Sequence, residues 1–200
     1  MTQRLPPRQR TQQRVRDSII KAAFELFADR GFADVSVTQI AEHAEVGRMT
    51  YFRYFGDKQE VVFAGEQDMI DSLVQGTTMA GAEPLEGPLT LADALARIRV
   101  TVRAMGVKWS ADTERYRLTE RLLAENPELQ DRMERKLLRG VRALAQALQE
   151  SGTPEPTAVL AAHLGLACYQ TGKQRAGADP TALVENIEAA FAELEQLRTQ

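Results

Sequence analysis

The sequence predicts an all-α fold, because three features of the chain agree. Apolar residues recur every three or four positions over most of its 200 residues, which is the spacing of one helix face. Capping residues, glycines and prolines stand where these runs begin and end. No segment shows the apolar–polar alternation that is typical of a half-buried strand.

Helical signals at the N-terminal end predict four helices in succession. The first ends at Gly31, where a helix C-terminus favours a left-handed residue. The second begins after Ser36, which forms a capping-box pattern with Gln39 and opens a run of only two turns. The third covers about residues 47–55, and the fourth follows Asp57 as its N-cap and is expected to continue into the late seventies.

After the stretch 81–88, which is rich in glycine and proline, the whole chain is predicted to be helical. The predicted helices cover about the ranges 90–105, 112–124, 127–152, 155–175 and 180–198. In the final helix, a stripe that a partner is expected to cover consists of Leu183, Ile187, Ala190, Phe191, Leu194 and Leu197. We therefore expect a homodimer through the last two helices, and the alternative is that both helices close the chain's own core.

Charge is distributed unevenly along the chain. The net charge of -3 argues against a protein that coats nucleic acid with its whole surface. Up to Arg16, however, the chain carries five arginines and no acidic residue. The single cysteine, Cys168, excludes an internal disulfide and suits a reducing cytoplasm, and we expect neither a secretory signal nor a membrane span.

The second and third predicted helices, separated by Glu45 and Val46, have the dimensions of a helix-turn-helix. Tyr51 and Phe55 lie one turn apart and are predicted to face inward. The other side of the third helix suits a DNA major groove about 12 Å wide, with its first turn at base edges and its later residues near phosphates. These outward residues are Arg48, Met49, Thr50, Phe52, Arg53 and Tyr54.

The outward side chains suit different parts of a duplex. Arg48 is expected to pair with guanine O6 and N7, while Met49 and Phe52 are suited to thymine methyl groups. Arg53 and Tyr54 are better suited to backbone oxygens. Burial of Phe52 in the core and solvation of both arginines are the alternatives at these positions.

Two further residues are expected to bind phosphates. Lys58, in the first turn of the fourth helix, opposes the helix dipole, and a bound phosphate would make this lysine favourable. Thr38, at the start of the second helix, is expected to donate its hydroxyl to another phosphate.

The run 37–58 closely resembles the signature of TetR-family regulators, and so does the preceding stretch from Ala23 to Phe32. The resemblance implies a homodimeric all-α protein, usually a repressor, whose first three helices bind a palindromic operator. It also implies a larger helical domain that binds small effectors and forms a four-helix bundle between subunits. By matching position, the residues expected to contact DNA are Thr38, Gly47, Arg48, Met49, Phe52, Arg53, Tyr54 and Lys58. Two departures are Glu45, where the family has a turn glycine, and Gly47, where it has a small hydroxyl residue.

Together these patterns divide the chain into three parts. We expect a disordered, Arg-rich leader at 1–12, a helix-turn-helix DNA-binding domain at 13–57, and a helical regulatory and dimerisation domain at 58–200. A minor-groove arm is the alternative for the leader. The candidate ligand pocket in the third part consists of Met69, Arg103, Met105, Trp109 and Tyr116, with Arg103 as the anion anchor and ordinary core packing as the alternative.

The leading hypothesis is a DNA-binding regulator with operator DNA, a second copy of the chain and a small-molecule effector as partners. An enzyme is not expected, because the sequence lacks a nucleophile–base pair, a carboxylate cluster and a phosphate loop. With two histidines and one cysteine we predict neither a metal site nor a cofactor, and we expect His163 to be a hydrogen-bonded core or interface residue. The alternative function is a helical protein-interaction adaptor that does not bind DNA, which the acidic Glu45 favours.

Overall fold

The computed structural model describes residues 7–64 and 89–196 and confirms the all-α fold, with no strand in these two ranges. The chain forms two compact units. Among the described residues, the first consists of residues 7–64 together with Arg121–Leu129, and the second consists of the others. No helix within the described ranges combines the length and the hydropathy needed to cross a membrane.

The first unit begins with four helices, which are α1 (Pro7–Arg30), α2 (Val37–His43), α3 (Arg48–Tyr54) and α4 (Lys58–Val62). Helix α1 thus includes residues 7–12, where the sequence predicted a disordered leader, because proline suits a first helical turn and arginine and glutamine are good helix formers. The predicted continuation of α4 beyond Ala64, including the candidate pocket residue Met69, lies outside the described residues.

One face of α1 supplies the core of the first unit. Ile19, Ala23 and Phe27 recur at helical spacing and are fully buried, as the sequence pattern predicted. Helix α1 packs against α2 and α4, and α2 packs against α3. The capping box between Ser36 and Gln39 at the start of α2 is confirmed, with reciprocal bonds between each side chain and the other residue's backbone N–H.

The helices after residue 88 are α5 (Leu91–Ser110), α6 (Thr113–Glu125), α7 (Pro127–Glu150), α8 (Glu155–Ala176) and α9 (Leu183–Gln196), with a short 3-10 turn at Pro180–Ala182. These bounds confirm the predicted helices. The capping box of Thr90 and Asp93 opens α5. Asn126 lies between α6 and α7. Its side-chain amide donates to Leu122 O at 2.7 Å and so binds a carbonyl in the last turn of α6.

Helices α5, α8 and α9 pack against one another in the core of the second unit, to which α6 and α7 also contribute, and two glycines of α8 allow their close approach. A Cβ atom on Gly172 would lie 2.7 Å from the backbone nitrogen and 2.8 Å from the Cα of Ile187 in α9. A Cβ atom on Gly165 would collide with the side chain of Ile98 in α5. The apolar side of α8 therefore packs against backbone as well as side chains, as small residues permit.

This packing corrects the predicted partner surface of α9. Leu183, Ile187, Ala190 and Phe191 are at most 6% exposed, because they form part of the second unit's own core. Leu194 is partly buried against the same core, and Leu197 lies outside the described residues. The alternative that α9 closes the chain's own core is thus correct for these residues, since α5 and α8 occupy the position that the sequence assigned to a partner.

Replacing Gly172 with alanine is expected to lower the free energy of unfolding of the second unit by about 1–3 kcal/mol, because the backbone of Ile187 has no room to move. Urea unfolding followed by the fluorescence of Trp109, the chain's single tryptophan, measures this change.

Gly106→Ala is the matched control, because its Cβ would approach side-chain ends most closely, with Ile187 Cδ1 at 3.1 Å and Val184 Cγ2 at 3.2 Å, while the nearest backbone atom, Val184 Cα, lies at an ordinary contact distance of 3.8 Å. The lost glycine flexibility of the unfolded chain offsets this milder contact by about 0.5–1 kcal/mol. Equal destabilisation by the two variants would show that backbone proximity at Gly172 is not the limiting contact.

Candidate nucleic-acid interface

The turn between α2 and α3 contains a residue in the left-handed conformation. Glu45 has a φ of 55°, which confirms that it accepts the geometry for which a glycine is usual. Val46 N donates to Ala41 O at 2.9 Å, and Glu45 N donates to Glu42 O at 3.1 Å. This pair of bonds is a Schellman motif, which ends α2 and sets the direction in which α3 leaves the turn.

Gly47 is the N-cap of α3 and supplies only backbone to it. Its carbonyl accepts hydrogen bonds from the N–H groups of Thr50 (2.8 Å) and Tyr51 (3.1 Å), and no side chain caps the helix. The residue is exposed, and a Cβ atom there would meet nothing within 4 Å. The first turn of α3 is therefore open to solvent at the end where the sequence predicts DNA.

Tyr51 and Phe55 form the inner side of α3, as predicted. Tyr51 is fully buried and Phe55 is 4% exposed, with their ring centroids 5.7 Å apart. The Tyr51 hydroxyl donates to Asp57 O at 3.1 Å, which joins the end of α3 to the start of α4. Burial raises the pKa of Tyr51 above its ordinary value, and the Asp57 carboxylate raises it further, so the hydroxyl stays a donor.

The outer side of α3 is exposed and carries the predicted reading residues. Met49 is 83% exposed and Phe52 is 42% exposed, which rules out the alternative that Phe52 is a core residue. Arg48 and Arg53 are also exposed. The Arg53 guanidinium lies 5.3 Å from the centroid of the Tyr54 ring, within the range of a cation–π contact. Large apolar side chains beside arginines on one helix face suit the methyl groups and guanine edges of a major groove.

The remaining predicted contact residues lie at the margin of this face. Thr38, Thr50 and Tyr54 are each half-buried, with Thr38 in the first turn of α2. These three residues and the exposed side of α3 belong to the same compact unit. Contact with DNA remains a prediction for every residue of this set.

Lys58 has partners that the sequence did not reveal. Its ammonium group donates to Phe32 O at 2.6 Å and to Ala33 O at 3.4 Å, and it lies 4.1 Å from the centroid of the Phe32 ring. Burial lowers the pKa of Lys58, against the opposing influence of the Glu128 and Asp34 carboxylates. A sequence pattern does not indicate which backbone carbonyls a lysine binds, so the sequence predicted only a phosphate as the partner of Lys58. An ammonium has three donors, and the two carbonyls leave one for a phosphate.

Positive charge on α1 lies beside the C-terminal end of α3. The guanidinium of Arg16 is 5.8 Å from the centroid of the Phe55 ring. Arg10 and Arg14 are exposed on the preceding turns of α1. Arg16, one of the arginines near the start of the sequence, therefore adjoins the end of α3 that is expected near phosphates.

The candidate ligand pocket is only partly brought together. Tyr116 is 2% and Met105 8% exposed in the second unit's core, and the rings of Trp109 and Tyr116 are in edge-on contact at 6.0 Å. The side chain of Arg103, by contrast, is 64% exposed and lies 3.8 Å from a carboxylate oxygen of Glu188. Arg103 thus takes part in a surface ion pair, which the helical pattern of α5 alone did not distinguish from a buried position.

His163 and Cys168 lie on α8 in different environments. His163 is exposed on α8, so it is not a core residue of this chain. Cys168 is buried, and that burial raises the pKa of its thiol. Within residues 7–64 and 89–196, no three His, Cys, Asp or Glu side chains lie close enough to hold a metal ion.

The helix-turn-helix segment matches a known family. Residues 19–64 match the family described as bacterial regulatory proteins, tetR family. Over 144 residues the chain is 33% identical to the HTH-type transcriptional regulator TcmR of Streptomyces glaucescens. That alignment covers 68% of this chain and 62% of TcmR, which is less than two thirds of the relative's length.

Solved structures extend the likeness of fold to nearly the whole chain. A protein from Syntrophomonas wolfei assigned to the TetR family has a TM-score of 0.64 at 16% identity, covering 94% of this chain and 96% of its own. SmeT of Stenotrophomonas maltophilia, in its triclosan complex, has a TM-score of 0.57 at 18% identity, covering 90% of each chain. At these identities the likeness concerns the fold alone.

Glu45→Gly is expected to stabilise the first unit by about 1 kcal/mol, because glycine adopts the left-handed conformation without a Cβ clash. Native-state hydrogen exchange at the Val46 amide, which closes the turn, measures the change. Glu45→Ala removes the carboxylate but keeps the Cβ atom, and it separates backbone strain from charge. Similar stabilisation by alanine and glycine would mean that the carboxylate, rather than the φ angle, is the unfavourable feature.

Proposed function

Because residues 19–64 of this chain belong to the TetR family of bacterial regulatory proteins, we propose that the protein is a homodimeric repressor of transcription. It binds a palindromic operator through α3 and leaves that operator when a small-molecule effector binds the second unit. The observation that carries the proposal is the outer side of α3, where Arg48, Met49, Phe52 and Arg53 are exposed while the inner side anchors the helix.

An exposed stripe on α8 supports dimerisation. Pro156, Leu160, His163 and Ala167 are exposed at alternating spacings of four and three, which is the spacing of a seam between two packed helices. Leu160 is 49% exposed and its neighbour Val159 is 41% exposed. Because α5 and α9 pack against the opposite, glycine-containing side, α8 is the helix that a second copy is proposed to cover, and α9 contributes through its remaining surface.

Two further observations support a small-molecule effector. SmeT, which shares the fold, was solved in complex with triclosan. In this chain, Trp109 Nε1 and Thr119 Oγ1 are buried and have no hydrogen-bond partner among the described residues. Buried polar atoms nearly always have a partner, so these two atoms are available to a bound molecule.

Replacing both Arg48 and Arg53 with alanine is expected to abolish preference for the operator, because the base contact proposed for Arg48 is worth about 1–3 kcal/mol and the dimer makes it twice. Loss of the phosphate contact proposed for Arg53 weakens binding to every duplex alike. The operator is first recovered by selecting bound duplexes from randomised DNA. The binding of each variant to this operator and to a scrambled duplex is then compared across salt concentrations.

The matched control is the double variant Arg139→Ala/Arg142→Ala, which removes the same charge from exposed positions of α7. It should keep the operator preference of the natural chain. A chain that binds no duplex at any salt concentration, with the dimer intact, would instead identify the protein-interaction adaptor.

Leu160→Glu is expected to convert the dimer into a monomer, because a two-fold contact buries unpaired carboxylates and each costs about 2–5 kcal/mol. Sedimentation equilibrium measures the mass. Leu138→Glu is the matched control, since Leu138 lies on α7 and is 47% exposed, close to the value for Leu160. Dissociation by the Leu138 variant, or none by the Leu160 variant, would place the interface elsewhere.

A further inference from the structure

Arg97 of α5 is buried and meets no counter-charge among the described residues. Only 9% of the residue is exposed, and its Nη1 atom has no hydrogen-bond partner within residues 7–64 and 89–196. No ion pair with Arg97 occurs in these ranges either. A guanidinium remains charged in proteins, and a buried charge is strongly unfavourable unless an opposite charge or hydrogen bonds compensate it.

The neighbouring arginines of the same helix show how α5 normally satisfies its cations. Arg99 donates through Nε to Glu188 at 2.7 Å and through Nη1 to Glu195 at 3.0 Å. These bonds raise the pKa of Arg99, with the Glu188 hydrogen bond as the main cause. Arg103 is exposed and lies beside the same Glu188 carboxylate. Arg97 is therefore the cation of α5 that requires a partner from outside the described side chains.

Arg97 begins a line of residues along one side of α5. Thr101, Met105 and Trp109 follow at intervals of four, so neighbouring members of the line lie one turn apart and the line winds gradually round the helix over a length of about 18 Å. Thr101 and Met105 are buried, and Trp109 is half-buried against the core of the second unit. At the far end, the buried Trp109 Nε1 has no hydrogen-bond partner among the described residues. The line thus joins a cation to an apolar stretch and ends at a hydrogen-bond donor.

We propose that Arg97 binds the anionic group of the effector, whose apolar body lies along α5 toward Trp109. The inference rests on the proposed function, since it assigns the chemical class of the effector as an amphiphilic anion. Carboxylate and phosphate both accept paired hydrogen bonds from a guanidinium, so the shared chemistry is an oxyanion on an apolar chain. Arg97 thereby replaces Arg103, which the sequence favoured as the anion anchor.

The test measures binding of three probes with the same twelve-carbon chain: dodecanoate, dodecyl phosphate and 1-dodecanol. Each is titrated below its micelle concentration into the full-length protein, and the fluorescence of Trp109 and the thermal midpoint are recorded. At least one anion is expected to bind and to raise the midpoint, while dodecanol has little effect. The two anionic probes distinguish a carboxylate from a phosphate ligand.

Arg97→Met keeps an unbranched apolar stem and removes the guanidinium with its charge, and it is expected to weaken binding of the anion at least tenfold. Arg103→Met is the matched control on the same helix and should bind the anion as the natural chain does. Without probe, Arg97→Met is expected to unfold at a higher temperature than the natural chain, because it removes a buried charge that has no partner among the described residues. A purely structural Arg97 would give the opposite shift.

The inference is overturned if the natural chain responds to neither anion, if dodecanol acts equally well, or if the Arg97 and Arg103 variants lose the response alike. A lower thermal midpoint for Arg97→Met also overturns it. Operator binding is measured separately for each variant without probe. Failure of the natural chain to bind DNA contradicts the proposed function, whereas anion binding through Arg97 requires no DNA and stands or falls by the probe titrations.

Discussion

The burial of Tyr51 is the interaction on which the presentation of α3 depends. A helix of seven residues is too short to be stable alone, so its orientation must come from tertiary contacts. The fully buried Tyr51 ring provides the anchor, and its hydroxyl bond to Asp57 O connects α3 with α4. Because Phe55 completes the inner side, the outer side is not needed for packing and its arginines stay exposed.

Two residues next to α3 are held in locally unfavourable positions that help to maintain its orientation. Glu45 adopts a left-handed backbone conformation, which is unfavourable for a residue with a Cβ atom, and the hydrogen bonds of the turn hold it there. Lys58 opposes the dipole of α4, yet its ammonium is held by two carbonyls of the turn that follows α1. Both residues thus help to position the elements next to α3 through hydrogen bonds with the backbone.

In the second unit, packing determines which side chains are available for function. The glycines of α8 allow α5 and α9 to pack so closely that Leu183, Ile187, Ala190 and Phe191 of α9 are buried in the core. The opposite side of α8 is left exposed with Leu160 and Val159, which is why a second copy is assigned to that side. On α5, Arg97 is buried while the neighbouring Arg99 reaches Glu188 and Glu195 on α9.

The sequence by itself determined the features that depend on neighbours in the chain. Helix ends, the capping boxes at Ser36 and Thr90, the inward pair on α3 and the family signature all arise within a few residues, where spacing and side-chain chemistry suffice. Only the tertiary structure decided that Arg97 rather than Arg103 is buried and that Lys58 binds carbonyls. These outcomes depend on which helices pack together, and helical periodicity gives a face without naming the element that covers it.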